Sequence, residues 1–258
     1  MIFDTHAHYD CEEFNEDRDE LLMSMEEGGV GTIVDVAASI DSWSRITDLV
    51  QQYPFVYGAL GVHPDHVGEL DEEKMAILKE MLLQDKIVAV GEIGLDYYWD
   101  KEGHDIQKQW FIRQIDLARE LDMPVIIHSR EAAADTMEIM KKNAAGLSGV
   151  IHCYSYSVEQ AREYVDMGYY IGIGGVVTFK NARKTKEVVA DIPLERIVLE
   201  TDSPYLTPVP FRGKRNSSLN LPYVVQTISQ LKGVSEEEVI RQTEENARQL
   251  YRIKEGTR

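Results

Sequence analysis

The chain has 258 residues, of which 43% are hydrophobic and 28% charged, a composition that supports one large globular domain over residues 1–258. Its formal charge of −18 argues against a protein that coats duplex DNA non-specifically, because such a surface repels long polyanions. It permits nucleic-acid chemistry at a local site, where metal cations and a small basic loop can reverse the field.

The sequence gives no sign of a membrane-bound or secreted protein. No stretch approaches the roughly 18 uninterrupted apolar residues of a membrane span, and the N-terminus lacks a secretory signal. The two cysteines, Cys11 and Cys153, fit no disulfide or metal-binding spacing, which indicates free thiols in a reducing compartment. We therefore predict a cytoplasmic protein, and nothing in the sequence indicates an obligate protein partner.

Short runs rich in β-branched residues recur along the chain, separated by stretches with helical patterning. The runs are apolar nearly throughout, as expected for parallel strands that are buried on both faces. They cover residues 2–5, 32–36, 56–61, 87–92, 125–128, 149–152, 169–173 and 197–200.

Three of the helices between and after these runs have readable boundaries. Asp105 opens a helix whose apolar residues repeat at intervals of three and four. Ser157 begins a capping box, and Gly168 marks the expected stop of that helix. Ser235 begins a second capping box and opens the final helix.

Eight runs, each followed by a helix, predict an α/β fold of the (β/α)₈ TIM barrel type. The competing architecture is an open doubly wound sheet, whose first loop normally carries a glycine-rich phosphate-binding turn. Here the first loop carries His6 and His8 instead, which favours the barrel.

Histidines and carboxylates gather where the predicted strands end. In a barrel these C-terminal ends converge on one mouth, where the active sites of this fold lie. Four imidazoles and two carboxylates suit two divalent ions that share a bridging ligand. The six candidate metal ligands are His6, His8, Glu92, His128, His152 and Asp202.

The strand order suggests how the ligands divide. Glu92, from the middle of the order, is the better bridge, and Asp202 would complete one site with His6 and His8, which point to the same side of a strand. His128 and His152, on adjacent strands, would hold the second ion. A water between two ions is a strong nucleophile near neutral pH, and Asp202 is placed to accept its proton.

Further residues near these strand ends each allow two interpretations, one functional and one structural. His63 would act in catalysis by donating to a leaving oxygen, or its Gly-x-His-Pro segment only turns the chain. Arg130 would contact phosphate or form a structural ion pair. The basic cluster of Arg212, Lys214 and Arg215 would bind phosphate or is an ordinary solvated loop. The aromatic residues 97–99 would stack on a base or pack on the barrel as a lid.

In the motifs that contain these residues, the chain resembles the TatD-type metal-dependent deoxyribonucleases, a family within the wider group of amidohydrolase-like metallohydrolases. The similar motifs follow the family's order from residue 4 to residue 216. They are Asp4-Thr5-His6-Ala7-His8, Gly61-Val62-His63-Pro64, Gly91-Glu92-Ile93-Gly94-Leu95-Asp96, His128-Ser129-Arg130, His152-Cys153, Glu200-Thr201-Asp202-Ser203-Pro204-Tyr205-Leu206 and Pro210-Phe211-Arg212-Gly213-Lys214-Arg215-Asn216.

The resemblance implies metal-dependent hydrolysis of DNA phosphodiester bonds, typically supported by Mg²⁺ and often from an end. It assigns His6, His8, Glu92 and Asp202 to one metal and Glu92, His128 and His152 to the other. Two segments differ from the family: Tyr154-Ser155-Tyr156 after Cys153, and Ser217-Ser218 after Asn216. We expect both to lie on the substrate side and to affect substrate preference.

Three functions are compatible with these features. The first is a two-metal nuclease acting on single-stranded or frayed DNA ends, loaded with Mg²⁺, Mn²⁺, Zn²⁺ or Ni²⁺. The second is a metallohydrolase of a small amide, lactone or ester; many such barrels bridge their metals with a modified lysine on strand four, where this chain has Glu92. The third, a non-catalytic scaffold, is disfavoured because every proposed ligand is present.

Overall fold

The computed structural model describes residues 1–99 and 102–254. Its strands are β1 Ile2–Ala7, β2 Val30–Val36, β3 Val56–Leu60, β4 Ile87–Asp96, β5 Val125–Arg130, β6 Gly149–Ile151, β7 Tyr170–Ile173 and β8 Ile197–Leu199. Its α-helices are α1 Arg18–Met23, α2 Ile40–Gln52, α3 Glu72–Leu82, α4 His104–Glu120, α5 Ala133–Asn143, α6 Val158–Asp166, α7 Arg183–Asp191, α8 Leu221–Lys232 and α9 Glu236–Tyr251. Short 3₁₀ turns, such as Pro64–Glu69 and Gly175–Thr178, lie in the loops.

The eight strands form one parallel sheet in sequence order, β1 to β8. A parallel bridge between Ala7 and Ser203 joins the end of β1 to the segment after β8. The backbone N–H of His8 also donates to the carbonyl of Ser203 at 2.8 Å. The sheet therefore closes at the mouth into the predicted TIM barrel, and the doubly wound alternative is wrong.

All eight predicted strands are present, but their lengths differ at the mouth. β4 and β5 run on to Asp96 and Arg130 because they remain paired past the barrel rim, with Gly94 opposite His128. Glu92 consequently lies inside β4 and not at its end. β6 and β8 stop earlier, so His152 follows its strand.

Successive apolar side chains along the strands point alternately into two layers. One layer fills the barrel with residues such as Val34, Val36 and Ile126, and the other packs the strands against the surrounding helices. Helix α9 covers one end of the barrel interior, where the Tyr251 ring packs on Phe3 with centroids 6.2 Å apart.

The predicted helix boundaries agree with the structure to within about one residue. The Ser157 hydroxyl accepts from the backbone N–H of Gln160 at the start of α6, and Ser235 accepts from Glu238 at the start of α9. Cys11 and Cys153 are both free thiols. Within residues 1–99 and 102–254, no helix is both long and apolar enough to cross a membrane.

Candidate metal centre

A pocket of about 670 Å³ opens at the C-terminal ends of the strands. A volume of this size suits a small molecule or part of a larger substrate. Its lining includes five of the six candidate ligands and also His63: His8, His63, Glu92, His128, His152 and Asp202. His6, the sixth candidate, lies directly beneath and is 1% exposed.

The first group of candidate ligand atoms comes from β1, β4 and β8 or from the residues that directly follow them. The Nε2 atoms of His6 and His8 lie 3.1 Å apart. The Oε2 atom of Glu92 is 3.4 Å from His6 Nε2 and 3.8 Å from His8 Nε2. The Oδ1 atom of Asp202 is 3.4 Å from His8 Nε2 and 3.9 Å from His6 Nε2. Four side chains from three strands thus point at one place.

The other carboxylate oxygen of Glu92 faces a second group. Its Oε1 atom is 2.7 Å from His128 Nδ1, 3.8 Å from His152 Nε2 and 3.9 Å from His63 Nε2. His152 also lies 3.6 Å from Asp202 Oδ1, so its imidazole stands between the two groups. This is the arrangement that the bridging role of Glu92 requires.

Two histidines are oriented by hydrogen bonds at the nitrogen that faces away from the centre. His8 Nδ1 lies 2.7 Å from the carbonyl of Val36, and His152 Nδ1 lies 3.1 Å from Oε2 of Glu200. Such contacts fix the tautomer and leave Nε2 free to bind metal. The side chain of Glu200 fits because Gly172 has no Cβ, which would lie 2.3 Å from Glu200 Oε2.

His128 is held by carboxylates at both ring nitrogens. Its Nε2 atom lies 3.0 Å from Oδ2 of Asp96, opposite the contact with Glu92. The close approach of β4 and β5 here depends on Gly94, where a Cβ would lie 1.9 Å from the carbonyl oxygen of His128. Binding of a metal through either nitrogen would replace one of these two contacts.

A buried carboxylate that we did not predict supports the β1 and β8 side. Asp4 accepts hydrogen bonds from the hydroxyls of Thr201 and Ser218, at 2.7 and 2.6 Å, and from the backbone N–H of Thr201 at 3.1 Å. Burial is the main cause that raises the pKa of Asp4 to about 7. Asp4 therefore ties the strand that carries His6 to the segment that carries Asp202.

Nearby imidazoles keep both candidate carboxylate ligands, Glu92 and Asp202, ionised. Burial acts to raise the pKa of Glu92, but His152, His6 and His128 hold it well below its usual range. Against the same effect of burial, His8 and His152 lower the pKa of Asp202. Both groups can therefore bind cations at neutral pH.

The imidazoles divide into two classes. Burial lowers the pKa of His6 to about 4 and that of His63 to about 3. Burial acts in the same direction on the other three, but nearby carboxylates outweigh it and raise the pKa of His8 to about 10 and those of His128 and His152 to about 9. Metal binding to the second class must displace protons.

The donor set fits divalent cations. Burying so many imidazoles and carboxylates together is costly, and a cation would interact favourably with all of them. Groups of ligand atoms within 4.8 Å of one another include His6, His8 and Glu92; His6, His152 and Asp202; and His63, Glu92 and His128. The six predicted ligands therefore meet at one centre. His63, which we predicted to act in catalysis, also lies within the second group of ligand atoms.

The predicted substrate contacts fall in two places. Arg130 lines the pocket, and its guanidinium carbon stands 4.0 Å from the centroid of Tyr98 and 5.5 Å from that of Trp99. Arg212, Lys214 and Arg215 are exposed on the loop after β8, outside the pocket lining. Their roles stay predictions.

The expectation that both segments differing from the family lie on the substrate side holds for Ser155 and not for Tyr154, Tyr156 or Ser218. Ser218 is fully buried, with its hydroxyl on Asp4, and Tyr154 is buried, with its hydroxyl on the carbonyl of Ser157. Only Ser155 of these segments lines the pocket. The hydroxyl of Tyr156 instead lies 3.1 Å from Ser129 Oγ, where it supports the loop after β5.

Sequence reasoning missed Glu200, Asp96 and Asp4 as supports of the centre. Glu200 and Asp202 lie two residues apart after β8, as His6 and His8 do around the end of β1, and that spacing was an available signal. Asp96 ends the motif that begins at Gly91, but within that motif only Glu92 was predicted to have a role. Asp4 precedes His6 by two residues, so the same spacing was also a signal for Asp4.

Comparisons with known proteins agree with this geometry. Residues 3–252 match the family described as TatD related DNase. The chain is 44% identical to the uncharacterized metal-dependent hydrolase YabD of Bacillus subtilis (strain 168), over 98% of this chain and 100% of that one. It is 36% identical to the uncharacterized metal-dependent hydrolase YcfH of Escherichia coli (strain K12), over 98% and 96%.

Among solved structures, the TatD homologue YjjV of Escherichia coli K12 superposes with a TM-score of 0.93 at 32% identity, covering 98% of each chain. Fold, site and relatives together define a metal-dependent hydrolase built on a TIM barrel. More narrowly, the chain belongs to the family of TatD-related DNases.

Proposed function

We propose that this protein hydrolyses phosphodiester bonds of DNA at single-stranded or frayed ends, with two divalent ions held by the centre described above. The observation that carries the proposal is the placement of Glu92, whose two buried carboxylate oxygens each face a separate group of imidazoles at the floor of an open pocket. Two cations bridged in this way suit in-line displacement at phosphorus.

We assign His6, His8, Glu92 and Asp202 to one ion and Glu92, His128 and His152 to the other. Bound there, Mg²⁺, Mn²⁺, Zn²⁺ or Ni²⁺ would polarise the phosphoryl group and activate a water. Asp202, ionised and facing the pocket, accepts the proton of the attacking water at a carboxylate oxygen.

The remaining pocket residues act on the substrate. Arg130 places a permanently charged guanidinium at the rim, where it pairs with a phosphate oxygen. His63, held neutral by burial and with its Nδ1 accepting from the backbone N–H of Asp65, can offer an Nε2–H to the substrate. These contacts fix the scissile bond over the centre. We also propose that residues 1–258 form one domain and that the protein acts in the cytoplasm.

The test uses metal-stripped protein and an end-labelled single-stranded DNA oligonucleotide, with Mg²⁺ or Mn²⁺ restored. We expect stepwise shortening that requires metal and is lost in Asp202→Ala. Arg113→Ala, which alters an exposed ion pair with Glu72 on the helical shell, serves as the control and should cleave normally. Intact oligonucleotide in the presence of bound metal would contradict DNA as the substrate.

The pocket volume also suits a small ester, lactone or amide, which remains the second candidate. Lys86 cannot serve here as a modified lysine that bridges two metals. It precedes β4, at the end of the strand away from the pocket, and its ammonium group donates to the carbonyls of Val50 and Tyr53. Competition separates the two candidates: inorganic phosphate or a mononucleotide should inhibit a phosphodiesterase and leave an amide hydrolase unaffected.

A further inference from the structure

Two loops at the pocket rim are strongly basic in an otherwise acidic chain. Residues 174–186, which comprise the loop after β7 and the first turn of α7, and the loop residues 203–215 after β8 are together called the basic rim surface. They contain no Asp or Glu, although the chain has 45 acidic residues. Their basic residues are Lys180, Arg183, Lys184, Lys186, Arg212, Lys214 and Arg215.

The two loops form one continuous surface. The backbone N–H of Val209 donates to the hydroxyl of Thr178 at 2.9 Å. The guanidinium carbon of Arg212 stands 3.8 Å from the centroid of the Phe179 ring. The sequence separates these segments, but the pairing of β7 with β8 brings them side by side. The charges of both loops therefore act together.

The basic rim surface begins at the edge of the pocket. Val176 from the first loop and Tyr205 and Leu206 from the second line the pocket beside Asp202. Lys180 and Arg212 are exposed on the same segments, outside the pocket lining. A flexible ligand with one end at the centre would pass over these residues as it leaves the pocket.

Structural contacts account for part of this charge: Arg183 pairs with Glu187, Arg215 pairs with Asp17, and Lys186 donates to the carbonyl of Phe179. Among the described residues, the remaining lysines have no such partner. Lys180, Lys184 and Lys214 are exposed, and within the part of the chain that the structure describes they form no ion pair. Arg183 and Lys184 lie in the first turn of α7, which has no acidic residue and no side-chain cap. Positive charge at a helix N-terminus is unfavourable. Glu187 compensates Arg183, whereas Lys184 lowers the stability of α7 unless an anion from outside compensates for it.

Other parts of the rim have the opposite sign. The segment after β1, residues 9–17, contains five carboxylates, and residues 61–72 after β3 contain four. A polyanion is repelled from those sides and attracted to the basic rim surface, which gives it one favourable direction of exit from the pocket.

We propose that the basic rim surface binds the phosphates of a single nucleic-acid strand whose end lies in the pocket. The inference rests on the proposed function and extends it, because it specifies a polynucleotide several phosphates long as the ligand. A row of Lys and Arg side chains contacts such a backbone without reading its sequence. Arg212 stacked on Phe179 presents its charge on a fixed support.

The experiment measures binding of metal-loaded protein to a fluorescein-labelled, hydrolysis-resistant phosphorothioate strand of about 20 nucleotides, longer than a typical single-strand site. Anisotropy is recorded over a series of NaCl concentrations for the wild type and for the triple variant Lys180→Ala/Arg183→Ala/Lys184→Ala. The control is Lys79→Ala/Lys141→Ala/Arg241→Ala, which removes the same charge from exposed ion pairs on α3, α5 and α9. Thermal melts verify that both variants are folded.

We expect the rim variant to raise Kd about tenfold, since each exposed phosphate contact contributes modestly. The slope of log Kd against log salt should fall by about 2, because each single-strand phosphate contact contributes roughly 0.7. Binding like that of the wild type would overturn the inference, and so would an equal loss in the control, which would indicate an effect of total charge.

A second readout tests the proposed function separately. The same preparations are assayed on bis(p-nitrophenyl) phosphate, a small diester that has one phosphate and no nucleic-acid strand. Absence of hydrolysis by the wild type would contradict the phosphodiesterase proposal, and the anisotropy data would still decide whether the surface binds nucleic acid. Hydrolysis by the wild type together with unchanged strand binding in the rim variant would overturn the surface inference alone.

Discussion

The two sides of Glu92 differ in burial and support. On the β1 and β8 side, the His6 and His8 side chains are 1% and 6% exposed, and His8 is fixed by a backbone carbonyl. On the β4 and β5 side, His63 and His128 are 14% and 17% exposed, and His128 is held only by carboxylate side chains.

This difference has a structural cause. The first side lies where the barrel closes, so Asp4, Thr201 and the backbone of β1 surround it. The second lies where β4 and β5 extend beyond the rim into the pocket. Burial and rigid support strengthen metal–ligand interactions, because the local dielectric is low and little rearrangement is needed. We expect the ion on the β1 and β8 side to bind more tightly and the other to exchange more readily.

The largest effect is expected for Glu92→Gln, which removes the group common to both sides. Loss of the bridging charge should lower kcat on a phosphodiester by more than about 1,000-fold, since both ions contribute to stabilising developing charge. Steady-state kinetics with Mn²⁺ are the measurement. Glu69→Gln, on an exposed rim residue, is the matched control. A decrease in kcat of less than tenfold would contradict the role of Glu92 as the bridging ligand.

The next prediction compares the two sides directly through His8→Ala and His128→Ala. His8→Ala should weaken the tighter ion by more than about 100-fold, whereas His128→Ala should leave that ion bound and remove the weaker one. Equilibrium dialysis with metal analysis measures the stoichiometry and affinity of each variant. Equal losses of both ions in the two variants would show that the sides are not independent.

The third prediction concerns the support that Asp4 gives to the β1 and β8 side. Its pKa is raised from 3.8 to about 7, mainly by burial, so the folded protein holds this proton more tightly than the unfolded chain does. The stabilisation from protonated Asp4 is present at low pH and is lost as pH rises from about 4 to about 7. Each displaced pKa unit corresponds to about 1.4 kcal/mol, so the change amounts to a few kcal/mol.

Comparison with Asp4→Asn isolates this effect, because asparagine stays neutral while the other carboxylates titrate as before. Urea unfolding of both metal-free proteins should show the wild type losing free energy of unfolding relative to Asp4→Asn between pH 4 and pH 7. A constant difference across that range would contradict the raised pKa.

The smallest effect is expected for Asp96→Asn on the β4 and β5 side. The variant keeps the shape of the side chain but removes the charge next to His128 Nε2, so affinity for the weaker ion should fall about tenfold. The tighter ion should be unaffected. Metal titration checks both affinities, and a loss confined to the tighter ion would reverse our assignment of the sides.

Sequence alone determined the barrel and the convergence of its ligands. Apolar runs alternating with helices define parallel strands, and the C-terminal ends of such strands meet at one mouth whatever the loops contain. For this reason His6, His8, His128 and His152 could be placed near one another without coordinates. The capping boxes at Ser157 and Ser235 were equally local, since each depends on a bond over three residues.

Tertiary structure decided how the ligands are supported and where charge accumulates. The contacts of Asp4 with Thr201 and of His152 with Glu200 join residues 197 and 48 positions apart. The first forms because β1 meets the segment after β8, and the second because β6 and β8 lie on either side of β7. The assignment of each Glu92 oxygen to its own group of imidazoles is likewise a matter of side-chain direction. The two basic loops become one surface only through the pairing of β7 and β8. Local patterns encode the strands and helices, whereas contacts between distant segments depend on how those elements pack.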